Sequence, residues 1–247
     1  MNIVLCKVLI LLFSLGYGYK FPEKFKRCHL NDPDLDSCLD TAIEVAIQLI
    51  GGSGIPSLHL LPIDPLRIET LEIGEGSSAV NLVQKYKDIK LHGFSKLKVE
   101  DSHYDASKKV LKFNSIHPEV IQEADYDFNG KILVIPVYGK GASNVTLENW
   151  RINHTITFEE VTKDNKKYFT VPSYTIKVNT SYAHFDFKNL FNGNEELSKT
   201  VHKVMNENWS VIIDDIKVGI ELGYQEVFRQ LTNKFLEAVP IDDVFLE

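Results

Sequence analysis

The C-terminal segment constrains the fold more than any other part of the chain. From Glu195 to Val239 apolar residues recur at three- and four-residue spacings, through Leu197, Val201, Val204, Met205, Trp209, Ile212, Ile213, Ile216, Ile220, Tyr224, Val227, Phe228, Leu231 and Phe235. No proline interrupts the run before Pro240. The pattern predicts one continuous helix of about 40 residues, roughly 60 Å long and far above the usual helix length. Its stripe drifts with a period of about 3.6 instead of holding a heptad, which argues against a coiled coil. Gly219 and Gly223, one turn apart, predict either a bend or the close approach of another backbone or a ligand.

What covers such a stripe is written upstream. From Ile55 to about Leu190 the period changes to two, in LRIETLEI, KDIKLHGF, KLKVED, KVLKFN, GKILVIPV, NVTLENWRINHTITFEEV, YFTVPSYTIKVN and AHFDF. No helical segment separates these strands, so the sheet is predicted to be antiparallel. Asn129-Gly130 predicts a hairpin turn, and KDNKK at 163–167 an exposed one. Pro118, Pro136 and Pro172 predict edges or bulges that bend the sheet. A shorter helix precedes them, opened by Asp32-Pro33, striped through Leu35, Leu39, Ala42, Ile43, Ala46, Ile47 and Ile50, and stopped by Gly51-Gly52. The economical arrangement is an α+β domain: one long C-terminal helix wrapped by a strongly curved antiparallel sheet, plus the short N-terminal helix. Any stretch that side chains fail to fill becomes an apolar tunnel.

Residues 1–18 read as a secretory signal peptide, with Lys7, an apolar core from Val8 to Leu15, and small residues at Gly16-Tyr17-Gly18. The core is shorter than the ~20 residues a membrane span needs. Residues 19–247 are then expected to form a single exported domain. Cleavage removes Cys6 and leaves Cys28 and Cys38, which most simply form one disulfide in an oxidising compartment; a metal site would need more ligands than His29 alone. The bridge is expected to fix the N-terminal arm to the first helix at one end of the tube and to shape its mouth. Sequons at Asn144, Asn153, Asn179 and Asn208 predict glycosylation, least at Asn208 because it lies in a strongly helical stretch. The net charge of −7, with no basic run, argues against nucleic acid and anionic membranes as partners.

Catalytic signals are absent or broken. Gly51-Gly52-Ser53-Gly54-Ile55 misses the nucleophile-elbow pattern at its last position, H-E-x-x-H does not occur, and eight histidines are scattered, so no metal site is expected. Gly74-Glu75-Gly76-Ser77-Ser78-Ala79 precedes a strand-like segment, not a helix, and reads as a turn. Asp125 and Asp127 flank Tyr126 beside a predicted turn and read as solvated carboxylates. No enzyme activity and no cofactor are expected.

Five segments carry a family resemblance: CHLNDPDLDSCL near the start, GIPSLHLLPIDPLRI at 54–68, YDFNGKILVIPVYGKG at 126–141, NLFNGNEELSKTVHKVMNENW at 189–209, and AVPIDDVF near the end. In these the chain resembles the insect takeout and juvenile-hormone-binding proteins, and the single cysteine pair resembles the takeout branch. The resemblance implies secretion, a long helix wrapped in a curved sheet related to tubular lipid-binding folds, a link to biological rhythms, and a small lipophilic cargo such as juvenile hormone, another terpenoid or a fatty acid. Candidate lining residues are Leu133, Ile135 and Val137 on one strand, and Trp209, Ile213, Ile216, Ile220, Tyr224 and Phe228 on the long helix. Tyr126 and Tyr138 are candidates for polar contacts. The chain is expected to act as a monomer without stable membrane insertion, with an unidentified receptor as a further candidate partner. Two competing readings are an extracellular interaction protein with a filled core, and a lipid-transfer module, which would need an exposed apolar tip or a basic patch.

Overall fold

The structure is a computed structural model, and it describes residues 23–246 apart from positions 59, 75 and 77. The predicted signal peptide lies outside the described residues, as does part of the turn read at 74–79. Ten strands and four α-helices follow in the order β1 (Cys28–His29), α1 (Leu35–Ser53), β2 (Leu66–Ile73), β3 (Val80–Asn81), β4 (Gln84–His92), β5 (Lys98–Asp105), β6 (Val110–Ile132), β7 (Ile135–Lys163), β8 (Lys166–Asn179), β9 (Tyr182–Phe187), α2 (Glu195–Glu207), α3 (Trp209–Leu236), α4 (Ile241–Val244) and β10 (Phe245–Leu246).

The large sheet runs β2-β4-β6-β7-β8, with β3 and β5 added to β6 and β9 added to β7, and all its pairings are antiparallel. It curls as a half-barrel around the C-terminal helices. The long strands, of 23 and 29 residues, have their ladders interrupted where proline removes a donor. Pro118 falls at a gap in the β6–β7 ladder opposite Asn149, which adopts φ 46°, and Pro172 lies at the register shift of β7–β8. The hairpin between β6 and β7 does not turn at Asn129-Gly130, as the sequence predicts. Both residues stay in the ladder, and the chain reverses at Leu133-Val134, with Leu133 at φ 54°. Gly130 answers a different need: a Cβ there would lie 2.4 Å from the Asn81 carbonyl oxygen on β3. The predicted turn at 163–167 does form, at Asp164-Asn165.

The long C-terminal helix is two. It breaks at Asn208, whose φ of −114° and ψ of 23° leave the helical region, although its amide still donates to Val204 and Met205. Helical side chains close the edges that an open sheet would otherwise leave unpaired. On α1, Asp40 accepts from the Ser102 amide and Glu44 from the Val99 amide of β5. On α2, Asn206 both donates to and accepts from the Phe185 main chain of β9, and His202 accepts from the Phe187 amide. On α3, Asp215 accepts from the amides of Ser78, Ala79 and Val80, Glu221 from the Val178 amide and Lys177, and Asn233 pairs both ways with Val171. The glycine pair admits β2: a Cβ on Gly219 would come within 2.8 Å of Ile73, and one on Gly223 within 2.5 Å of Leu71. Helix α3 thus spans from the free edge of β2 to that of β8 and fills the gap in the half-barrel.

Helix α1 starts at Leu35, and its first turn contains Cys38, bonded to Cys28 as the sequence predicts. It runs through Gly51-Gly52 and ends only where Gly54 takes φ 64°. The Asp32 side chain caps the Asp34 amide, not the helix proper. The arm carrying Cys28 also pairs in parallel with the chain's end, Cys28 opposite Phe245 and His29 opposite Leu246.

Candidate functional site

The apolar face of α1 is the first sign of a site. Of its stripe only Leu39 is fully buried, while Ala42, Ile43, Ala46, Ile47 and Ile50 are half-buried. They face a cavity of about 400 Å³ at the end of the molecule that holds the disulfide. The sheet supplies Leu97, Leu111, Phe113, Ile156, Phe158 and Phe169, and α3 supplies its last third, Phe228, Leu231, Phe235 and Leu236. Phe25, Cys28, Val244 and Phe245 close the same end. Three cations, Lys26, Arg67 and Lys234, line it with exposed side chains, and no carboxylate appears in the lining. Leu61, 74% exposed, stands in this lining too, so an exposed apolar residue and basic groups do assemble here although no run of the sequence announces them.

One wall is polar. Tyr174 Oη lies 2.9 Å from His154 Nδ1, His154 Nε2 lies 2.9 Å from Ser115 Oγ, and Ser115 Oγ lies 3.1 Å from His117 Nε2. All four side chains line the cavity and are buried, and the imidazoles stack on Phe94 and Phe113 at 4.6 and 4.3 Å. Burial pushes the pKa of His117 down to about 4, against smaller opposing pulls from the Phe94 main chain and Asp64. Burial, helped by His117, pushes His154 down to about 3. Burial raises the Tyr174 hydroxyl. At neutral pH the chain is therefore uncharged. A serine between two imidazoles resembles a nucleophile with its base, but Ser115 is 1% exposed and these imidazoles are too weakly basic to activate it at neutral pH.

Of the eleven residues proposed from sequence to hold a ligand, only Phe228 lines this cavity. It packs against Phe94, His154 and Tyr174, at 5.4, 6.0 and 6.1 Å, and forms the partition between the open end and a filled one. Beyond it Tyr224 donates to Gln122 at 2.6 Å, and Ile213 and Ile216 are buried in the common core, with Ile220 and Trp209 packed against it. Val137 is buried there as well, while Ile135 is half-buried and Leu133 sits in the hairpin turn instead of on a strand. Tyr126 spends its hydroxyl on the Lys188 carbonyl at 2.7 Å, and burial raises its pKa to about 12. Tyr138 is 43% exposed and rests on Phe191. Tyr86, Tyr126, Phe128 and Phe187 pack ring against ring in the same core. Among the described residues no cluster of histidine, cysteine and carboxylate side chains could hold a metal ion.

The fold and the cavity at its disulfide end can be set beside known proteins. A family model described as haemolymph juvenile hormone binding protein matches residues 6–246. The chain belongs to that family. The circadian clock-controlled protein daywake of Drosophila yakuba and that of Drosophila melanogaster are each 28% identical to this juvenile-hormone-binding-protein family member over 233 residues, covering 91% of it and 88% of the relative. The crystal structure of Takeout 1 from Epiphyas postvittana superposes with a TM-score of 0.78 at 24% identity, covering 90% of this chain and all of that one, which shows the shared fold. Within the family fold, the cavity and its polar wall are this member's own features to explain.

Proposed function

We propose that the protein is an exported carrier that holds one small lipophilic ligand, a terpenoid or a fatty-acid-like molecule, in the cavity beside α1. The observation that carries this reading is the apolar space of about 400 Å³, within the range of small-molecule sites. A packed interior would instead favour an extracellular interaction protein. Burying a chain of ~15 carbons offers on the order of 10 kcal/mol gross at ~0.8 kcal/mol per methylene, and association costs reduce this to roughly micromolar to nanomolar affinity. No described helix is long and apolar enough to cross a membrane. The carrier acts as a monomer that delivers its cargo, with a receptor as the candidate recipient. Residues 1–18 direct export, and the sequons at Asn153 and Asn179, both exposed, accept glycans, whereas Asn208 is half-buried at the junction of α2 and α3. The half-buried sequon at Asn144 is proposed as a weaker acceptor.

Native mass spectrometry of protein secreted into culture medium, before and after deglycosylation, tests these statements together. A copurifying lipophile near one-to-one is expected, and it should be lost when Ala42→Trp and Ala46→Trp fill the cavity from α1. A bare mass that stays bare when terpenoids and fatty acids are added would overturn the carrier.

A further inference from the structure

The Tyr174–His154–Ser115–His117 chain is a costly thing to bury in an apolar wall, and its hydrogens can be counted. In one sense Tyr174 donates to His154 Nδ1, His154 Nε2–H donates to Ser115, and Ser115 donates to His117 Nε2. His117 then keeps its proton on Nδ1, where the Phe94 main chain interacts with it too loosely to count as a hydrogen bond. In the opposite sense every donor reverses. His117 Nδ1 becomes a bare, buried acceptor with no donor, and the Tyr174 hydrogen is freed. The first sense leaves the smaller deficit, because an N–H near a carbonyl is better placed than a lone pair near one. Tyr174 at rest has therefore given its hydrogen away and offers only oxygen lone pairs, at a residue that lines the cavity.

Resting on the carrier reading, we infer that this chain is a head-group site selecting ligands that end in a hydroxyl. The hydroxyl donates to Tyr174 Oη while the apolar body lies along α1. A ligand with only an acceptor, such as an ether or ester, must reverse all three hydrogen bonds and strand His117 Nδ1. One without a polar end gains nothing from the wall. Tyr174 and His154, 7% and 6% exposed, retain more accessible surface than Ser115 and His117, at 1% and 0%, which act through them as positioning residues.

Displacement of the fluorescent probe N-phenyl-1-naphthylamine tests this with three ligands of equal length: 1-tetradecanol, 1-methoxytetradecane and tetradecane. Once the affinities are corrected for each ligand's own transfer from water to an alkane, the alcohol is expected to bind up to about tenfold more tightly than the other two, the worth of one buried hydrogen bond. Tyr174→Phe should erase that preference, bringing the corrected affinity of the alcohol down to that of tetradecane. If Tyr174→Phe does not fold, Ser115→Ala decides, since cutting the chain at its centre frees Tyr174 to take either sense and should bring ether and alcohol together. Equal corrected affinities in the native protein, a preference for the ether, or an alcohol preference that survives in the folded variants would each overturn the head-group site while leaving the carrier standing. No binding of probe or ligands would remove both.

Discussion

Two neutral imidazoles in a closed wall tie stability to acidity. The pKa values of His117 and His154, about 4 and about 3, both lie below the ordinary value of 6.5. Between pH 6.5 and about 4 the unfolded chain binds protons that the folded chain refuses, so stability falls as pH drops and is flat above 6.5. The slope is about 1.4 kcal/mol per pH unit for each histidine at most. Urea midpoints measured between pH 6.5 and 5, above the titration of ordinary carboxylates, should show it. His117→Phe should reduce the slope by about half, and an unchanged slope would assign the acid loss to other groups. None of this was legible in the sequence. His117 and His154 read as two of eight scattered histidines, and Ser115 carried no motif at all. Only the β6–β7 register, which sets Ser115 opposite Ile152 and Phe113 opposite His154, brings them together.

At the scale of elements, periodicity was a sound guide to what forms and a poor one to where it stops. The apolar stripe of the C-terminal helices, the α1 face and most of the alternating segments could be read because burial imposes its period on the sequence, whereas GKILVIPV, read as one strand, contains the β6–β7 reversal. Asn208 escaped notice because a single residue leaves the helix while the hydrogen bonds around it continue. Asn129-Gly130 misled because glycine serves close approach as well as turns, and here β3 needed the room. The side chains that seal the sheet edges were equally silent, since Asp215 looks like any exposed helical acid. It accepts from three consecutive amides, so Asp215→Ala is expected to lower unfolding free energy by about 2 kcal/mol in chemical denaturation. Its neighbour Asp214 pairs only with Lys217 at the surface, and Asp214→Ala should cost less than about 0.5 kcal/mol. Equal losses would show that the edge contact contributes nothing special.

Across the described molecule, an apolar cavity opens at the disulfide end, and local pattern does not encode its place. The candidate lining read from the sequence runs from Trp209 to Phe228, where the stripe is as apolar as in the part of α3 that lines the cavity. The difference is one of volume: rings pack together around Tyr126 and Phe128, whereas α1, tied to β5 through Asp40 and Glu44, leaves a cavity under its apolar face. The disulfide sits at the hollow end with Cys28 in the cavity wall. Replacing Cys28 and Cys38 with serine should lower stability by roughly 3 kcal/mol or less, as loop closure over a short separation allows. It should also speed ligand release in stopped-flow displacement, and an unchanged release rate would end the idea that the bridge shapes the mouth.

The parallel pairing of Cys28–His29 with Phe245–Leu246 has a practical side. Both strands of this pair lie beside the cavity, with Cys28 and Phe245 in its wall. A bulky label attached at His29 or Leu246 would sit beside the cavity, and uptake measured with it would understate the protein's capacity. The opposite pole offers a harmless attachment point: the Leu133-Val134 tip, where Val134 is 89% exposed.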